Sequence, residues 1–126
     1  MPEVTVRGRT TDRSMDVSIG GSTYSFDRGS QNIRSVDFLL TALGSCTLAT
    51  ISAYLNRKGL ETSDIRIELS AAKADGADHY NRICLAIDCG SGIDEKTRKI
   101  LREVSKTCTI HKTLHGEPDI EVRILP

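Results

Sequence analysis

The chain has 126 residues, the length of one domain spanning residues 1–126. Hydrophobic residues make up 38% and charged residues 27%, an ordinary globular composition. Seventeen Lys+Arg balance seventeen Asp+Glu, so the net charge is +0, and a protein built on neutralising nucleic-acid phosphates is not expected.

With so little net charge to hold copies apart, self-association is expected. No apolar run is read as approaching the ~18 residues needed to span a bilayer, so no membrane partner is expected. The first ten residues mix acid and base without an apolar stretch, so no secretory leader is expected either. A cytosolic location follows as the expectation. There Cys46, Cys84, Cys89 and Cys108 would be reduced, catalytic or buried rather than a disulfide scaffold.

Residues 4–7 read as a short strand. Met15, Val17 and Ile19 alternate with Asp16 and Ser18, and residues 23–27 form a second alternating run. Gly20-Gly21 between them is a hairpin signal, because both turn positions can take positive φ. Residues 28–35 are polar and carry Gly29 and Asn32, which predicts a loop.

Ser35 is the expected N-cap of a helix over residues 36–58, with Asp37 in its first turn and Gly59 as its stop. Its apolar residues cover nearly every side of the cylinder. A helix apolar all round is buried all round, and a monomer this small cannot supply that cover. A second subunit is therefore expected.

Ile65, Ile67, Leu69 and Ala71 then alternate with polar residues, as do Ile83, Leu85 and Ile87. Both runs predict strands that bury one face. A second helix is expected from Asp94, with Ile100, Leu101 and Val104 on its apolar stripe. Cys108 falls about 20° from Leu101 and about 40° from Val104, so it continues that stripe if the helix reaches it. Ile120, Val122 and Ile124 alternate with Glu121 and Arg123, which predicts a closing strand. The expected order is β-β-β-α-β-β-α-β, an α+β domain.

No phosphate loop, dinucleotide fingerprint, HExxH or CxxC is present, and no cofactor is expected. Tryptophan is absent and aromatics are 4%, which leaves no platform for stacking single-stranded nucleic acid. The reactive inventory is four cysteines and His79, His111 and His115. Cys46 follows Gly44 inside the apolar helix, where a glycine costs about 1 kcal/mol and often permits close approach. Cys46 and Cys108 both point at a core and are able to meet there; equally, both are able to serve as small buried apolar residues. Cys84 and Cys89 lie on a strand and read as structural. Cys108 and His111 have C-x-x-H spacing, a weak metal signal even with Cys46 as a third ligand. His111 reads as a capping or hydrogen-bonding residue near a helix end.

The runs from Asp37 to Cys46 (DFLLTALGSC) and from Cys108 to Leu114 (CTIHKTL) closely resemble the two signature segments of the OsmC/Ohr family of osmotically inducible and organic-hydroperoxide-resistance proteins. The resemblance is closest to its OsmC-like branch, and the element order fits along almost the whole chain. It implies an intertwined homodimer, with central cysteine helices and sheets wrapped outside. It also implies that Cys46 is the peroxidatic nucleophile and Cys108 the resolving thiol, joined in a disulfide and recycled by an external dithiol. The substrate it implies is an organic hydroperoxide.

An arginine that activates the thiolate and a carboxylate that orients it are implied as well. Arg13 is the choice for the first, with Arg7, Arg9, Arg28 and Arg34 as alternatives. Asp37 is the one acid in the carboxylate segment. It lies nine residues before Cys46, half a turn round and ~13 Å along a straight helix, so it cannot reach Cys46 directly. The chain departs from the family pattern at Arg34-Ser35-Val36-Asp37, where Pro and Glu are usual, and at Thr109, where Pro is usual. Two further readings follow from the residues: a non-catalytic binding or redox-sensing dimer, and a metal enzyme on Cys46, Cys108 and His111.

Overall fold

The computed structural model describes residues 3–60, 62 and 64–126. In chain order its elements are β1 (Val4–Gly8), β2 (Ser14–Ile19), β3 (Ser22–Asp27), α1 (Ser35–Arg57), β4 (Arg66–Ala72), β5 (Arg82–Asp88), α2 (Glu95–Ser105) and α3 (Thr109–His115). The architecture is α+β with two antiparallel sheets. The chain divides into two compact units, the first ending at Phe38 and the second beginning at Leu39.

The first unit holds a three-stranded sheet in the order β1-β2-β3. Gly20 and Gly21 take φ of +54° and +86°, the two left-handed positions that a tight hairpin requires. The register follows from this turn, pairing Ile19 with Ser22 and Val17 with Tyr24. Val17 and Val36 are buried, and the Phe26 ring meets Phe38 edge to face at 5.2 Å. The loop after β3 is tied by Asp27, whose carboxylate accepts the N–H of Gly29 at 3.1 Å.

The helix start differs from the expectation by one residue. Ser35 is the first helical residue, not the cap. The Arg34 carbonyl accepts the Asp37 N–H at 3.0 Å, while the Asp37 carboxylate accepts the Arg34 N–H at 2.8 Å. This reciprocal pair gives Arg34 the cap position, with an acid three residues on, as in a capping box. At the other end Gly59 takes φ +67° and stops the helix as expected.

In the second unit β4 and β5 pair in a hairpin from Arg66↔Asp88 to Ala72↔Arg82. One face carries Ile67, Leu69, Ile83, Leu85 and Ile87; the other is polar and exposed. The Asp94 carboxylate accepts the Thr97 N–H at 2.8 Å and caps α2. The core is a cluster of Ile51 and Leu55 from α1 with Ile93 and Leu101, flanked by Tyr54, Ile65, Ile87 and Cys89. Side chains buried to this degree contribute roughly 1.5–3 kcal/mol each.

Two expectations fail. The closing strand is absent: Ile120, Val122 and Ile124 are 79%, 78% and 90% exposed and have no ladder partner among the described residues. Alternation predicts which side of a strand is apolar, but a strand also needs an edge to pair with. The second departure concerns α1. Ser, Thr, Gly and Ala are interleaved among its large residues, yet the helix is long and apolar enough to cross a membrane by length and composition, which corrects the expectation that no such run exists. Core helices pass the same test. Only 22% of that stretch is buried within the single chain, which, as expected of a chain this small, does not cover the helix on all sides.

Gly44 fixes how closely α1 approaches the hairpin. A Cβ there would stand 2.9 Å from Leu69 Cδ1. Gly44→Ala gains helix propensity of about 1 kcal/mol, offset by displacing a Leu69 methyl that can rotate. The expected net change in urea unfolding is under ~1 kcal/mol, whereas Gly44→Leu costs about 1–3 kcal/mol by overpacking.

Candidate thiol site

The second helical segment does not run through to Cys108. The Lys106 N–H bonds Glu103 at 3.1 Å and the Thr107 N–H bonds Val104 at 3.0 Å, i to i−3 contacts that tighten the last turn of α2. The hydroxyls of Ser105 and Thr107 donate to the carbonyls of Leu101 and Val104, both at 2.7 Å. Cys108 then turns to ψ 137°, outside the helical region, and α3 begins at Thr109. Cys108 is therefore not part of the α2 stripe. It is the N-cap of the next helix, with its sulfur accepting the His111 N–H at 3.4 Å.

This break brings Cys108 to Cys46. The two side chains hydrogen-bond each other, and the Ile110 and Thr109 N–H groups also point at Cys46 Sγ. On α1, the Cys46 carbonyl accepts the Thr50 hydroxyl at 2.9 Å, one turn on. The neighbouring Thr47 is buried, its hydroxyl satisfied by the Leu43 carbonyl at 2.8 Å. Cys46 is half-buried and Cys108 buried, and both are free thiols.

The two thiols are driven apart in acidity. The Cys108 hydrogen bond, followed by the Ile110 N–H, holds Cys46 below the ordinary thiol range. Burial, followed by the hydrogen bond to Cys46, pushes Cys108 above it. The donor is thus the Cys108 S–H and the acceptor Cys46 Sγ. Of the two, Cys46 ionises the more readily and Cys108 is the one that holds its proton.

Cys89 is a core residue whose thiol is pushed up by burial, and Cys84 lies on the exposed face opposite Ser70. The His111 and His115 rings stand 5.7 Å apart. Among the described residues no group of three or more His, Cys, Asp or Glu is placed to hold a metal ion, and that includes Cys46, Cys108 and His111.

Arg13 and Asp37 belong to the first unit. The Arg13 carbonyl accepts the Arg28 N–H at 3.2 Å. The Arg34 guanidinium lies 3.2 Å from the Asp37 carboxylate, and Arg34, mainly through its backbone N–H, holds that carboxyl below its usual range. Arg9 pairs with Asp12 at 3.5 Å, and the Nε of Arg28 is buried without a partner among the described residues. The groups that lower Cys46 come instead from its own unit, and peptide N–H groups are prominent among them. Sequence reasoning missed these. The available signal was Cys108 at the head of a new helix, hidden because its angle also suits the α2 stripe.

Cys108→Ala removes the donor, so the pH midpoint for iodoacetamide alkylation of Cys46 is expected to rise and its rate at pH 7 to fall severalfold. Cys108→Ser keeps a hydroxyl donor and should fall between the two. Cys46 is held below an ordinary thiol and Cys108 above it, so with the exposed Cys84 replaced by Ser, alkylation near neutral pH should favour Cys46 over Cys108.

No curated relative matches the chain. Solved structures do, across nearly its full length. An OsmC-like protein from Mycoplasma pneumoniae superposes with a TM-score of 0.76 at 21% identity, covering 93% of this chain and 89% of that one. A hypothetical protein from Aquifex aeolicus gives 0.77 at 17% identity, with coverage of 93% and 89%. An OsmC-like hydroperoxide resistance protein from Jannaschia sp. gives 0.59 at 18% identity, covering 98% and 90%. At these identities the likeness establishes the fold. The family model for OsmC-like proteins matches residues 28–123, a span that includes both Cys46 and Cys108. The chain therefore belongs to the OsmC family.

Proposed function

We propose that the chain is a cysteine peroxidase that reduces organic hydroperoxides, with Cys46 as the peroxidatic thiol and Cys108 as the resolving one. The observation that carries this is the meeting of Cys46 on α1 with Cys108 at the head of α3, where the Ile110 and Thr109 N–H groups also face the Cys46 sulfur. Family membership and a hydroperoxide resistance protein among the structural neighbours support it.

The Cys46 thiolate attacks the outer oxygen of R–O–O–H. The O–O bond breaks, the alkoxide takes a proton and leaves as the alcohol, and the sulfur is oxidised to sulfenic acid. The Cys108 sulfur then attacks the Cys46 sulfur. The S–O bond breaks, the hydroxyl leaves as water with the Cys108 proton, and a disulfide forms. An external dithiol reduces it and restores both thiols. A cytosolic location, where thiols are kept reduced, belongs to the same reading.

The reading includes a homodimer. Leu39 and Leu48 of α1 are exposed in the single chain, and so is the alternating segment from Ile120 to Ile124. Each sheet leaves its outer edges unpaired among the described residues. A second copy offers both cover for the helix and an edge for the terminal segment.

Cumene hydroperoxide at one equivalent should yield the alcohol and a Cys46–Cys108 disulfide by peptide mass spectrometry. Cys46→Ser should abolish consumption, and Cys108→Ser should stop after one turnover at sulfenic acid. Undiminished activity in Cys46→Ser, or a dithiol left unreacted by the peroxide, would overturn the assignment. Sedimentation equilibrium should give twice the chain mass, and Val122→Asp with Ile124→Asp should weaken association at least about tenfold.

A further inference from the structure

The inward face of β5 is only partly covered by its own unit. Between it and α2 lies a cavity of about 710 Å³. That volume is in the range of roughly 300–1,000 Å³ typical of small-molecule sites. Ile83, Leu85 and Ile87 line one wall, and Ile93 and Leu101 the other. A second hollow of about 480 Å³ shares Ile83, Leu85 and His111 with the first, which makes one apolar trough running towards α3.

The α2 rim of this trough is cationic. Arg98, Arg102 and Lys106 recur every four residues, one per helical turn, and all three line the cavity. The Arg98 guanidinium lies 3.6 Å from Glu95, and the Lys106 ammonium 3.1 Å from Glu103; both cations are half exposed. Arg102 has no ion pair among the described residues. The one carboxylate on the lining, Asp88, is turned to the Gly90 N–H at 2.9 Å. An apolar trough beside an uncompensated guanidinium matches a molecule with a long apolar part and one anionic end.

A second copy of α1 matches it less well. That helix carries a single acid, Asp37, already paired with Arg34, so it would bring leucines to the trough but no partner for Arg102. A stacked nucleobase matches it less well too: the walls are isoleucine and leucine, and the rings available are His111 and, in the smaller hollow, Tyr80 and His115.

We propose that this trough binds a single-chain amphiphile, its acyl tail along β5 and its anionic head on Arg98 and Arg102. The site does not depend on the chemistry of Cys46. Guanidinium groups in successive turns can hold a carboxylate or a phosphate monoester by charge-assisted hydrogen bonds, and the tail buries itself against the isoleucines and leucines.

The test uses the full chain carrying Cys46→Ser, so that it stands apart from the peroxidase reading. A dansylated undecanoic acid serves as the fluorescent probe, displaced by dodecanoate, dodecyl phosphate or methyl dodecanoate. At least one of the anionic competitors is expected to displace it about tenfold better than the neutral ester. Arg98→Gln with Arg102→Gln should erase that preference while leaving the ester unchanged, and Arg102→Lys should keep most of it. Which anionic competitor leads reports the head group. Equal competition by acid and ester would overturn the proposal, as would an anion preference that survives the double variant. Absence of probe binding, with amide-exchange protection of residues 83–87 that rises with protein concentration, would assign the trough to a second copy and overturn it as well.

Discussion

Two neighbouring thiols can share a proton to advantage only when their surroundings differ. If both were equally buried, neither would ionise; if both were equally exposed, water would level them. In this chain Cys46 sits half-exposed on α1 facing peptide N–H groups, and Cys108 is buried at the head of α3. The hydrogen bond between them then has a direction, from Cys108 to Cys46. Much of the second unit serves that contact. α2 must stop short, Cys108 must leave the helical region, and α1 must lie close enough to the hairpin for Leu69 to meet a residue without a side chain. Each is a local requirement, and the sulfur pair needs all three.

Much of this was legible in the residues. Period-two alternation and the Gly20-Gly21 turn gave the first three strands to within a residue, because a hairpin with both turn positions at positive φ has little freedom of register. Asp94 announced α2, and Gly59 ended α1. The cysteine pair was visible as two residues able to share one core. The break before Cys108 was not, because the angular position of Cys108 fits a continued helix equally well. Only the hydroxyls of Ser105 and Thr107, which bond back to the α2 carbonyls, mark its end. The terminal strand shows the opposite limit. Its pattern is clear, but a pattern carries no information about which edge lies within reach.

The same limit explains α1. A helix apolar on nearly all sides states a demand for cover, and the single chain meets that demand only on part of the surface, through Leu43, Thr47, Ile51 and Leu55. These lie four residues apart, one stripe of the cylinder. Cys46 and Leu48 fall beside that stripe. On the proposed dimer, a partner could bury the uncovered Leu48 while leaving an approach to the half-exposed Cys46 sulfur.

The opposed acidities also set an order for thiol chemistry on the peroxidase reading. While Cys46 is a thiolate, its charge and its hydrogen bond help to keep Cys108 protonated. A protonated resolving thiol attacks nothing, so it cannot compete for the incoming oxidant. Oxidation of Cys46 to a neutral sulfenic acid removes that charge. Burial still opposes ionisation of Cys108, but the His111 and Ile110 N–H groups still favour it, and the thiolate that held its proton is gone. Resolution is thereby released by the step that must precede it. No moving part is needed for that order, only a proton whose position depends on the neighbour's charge.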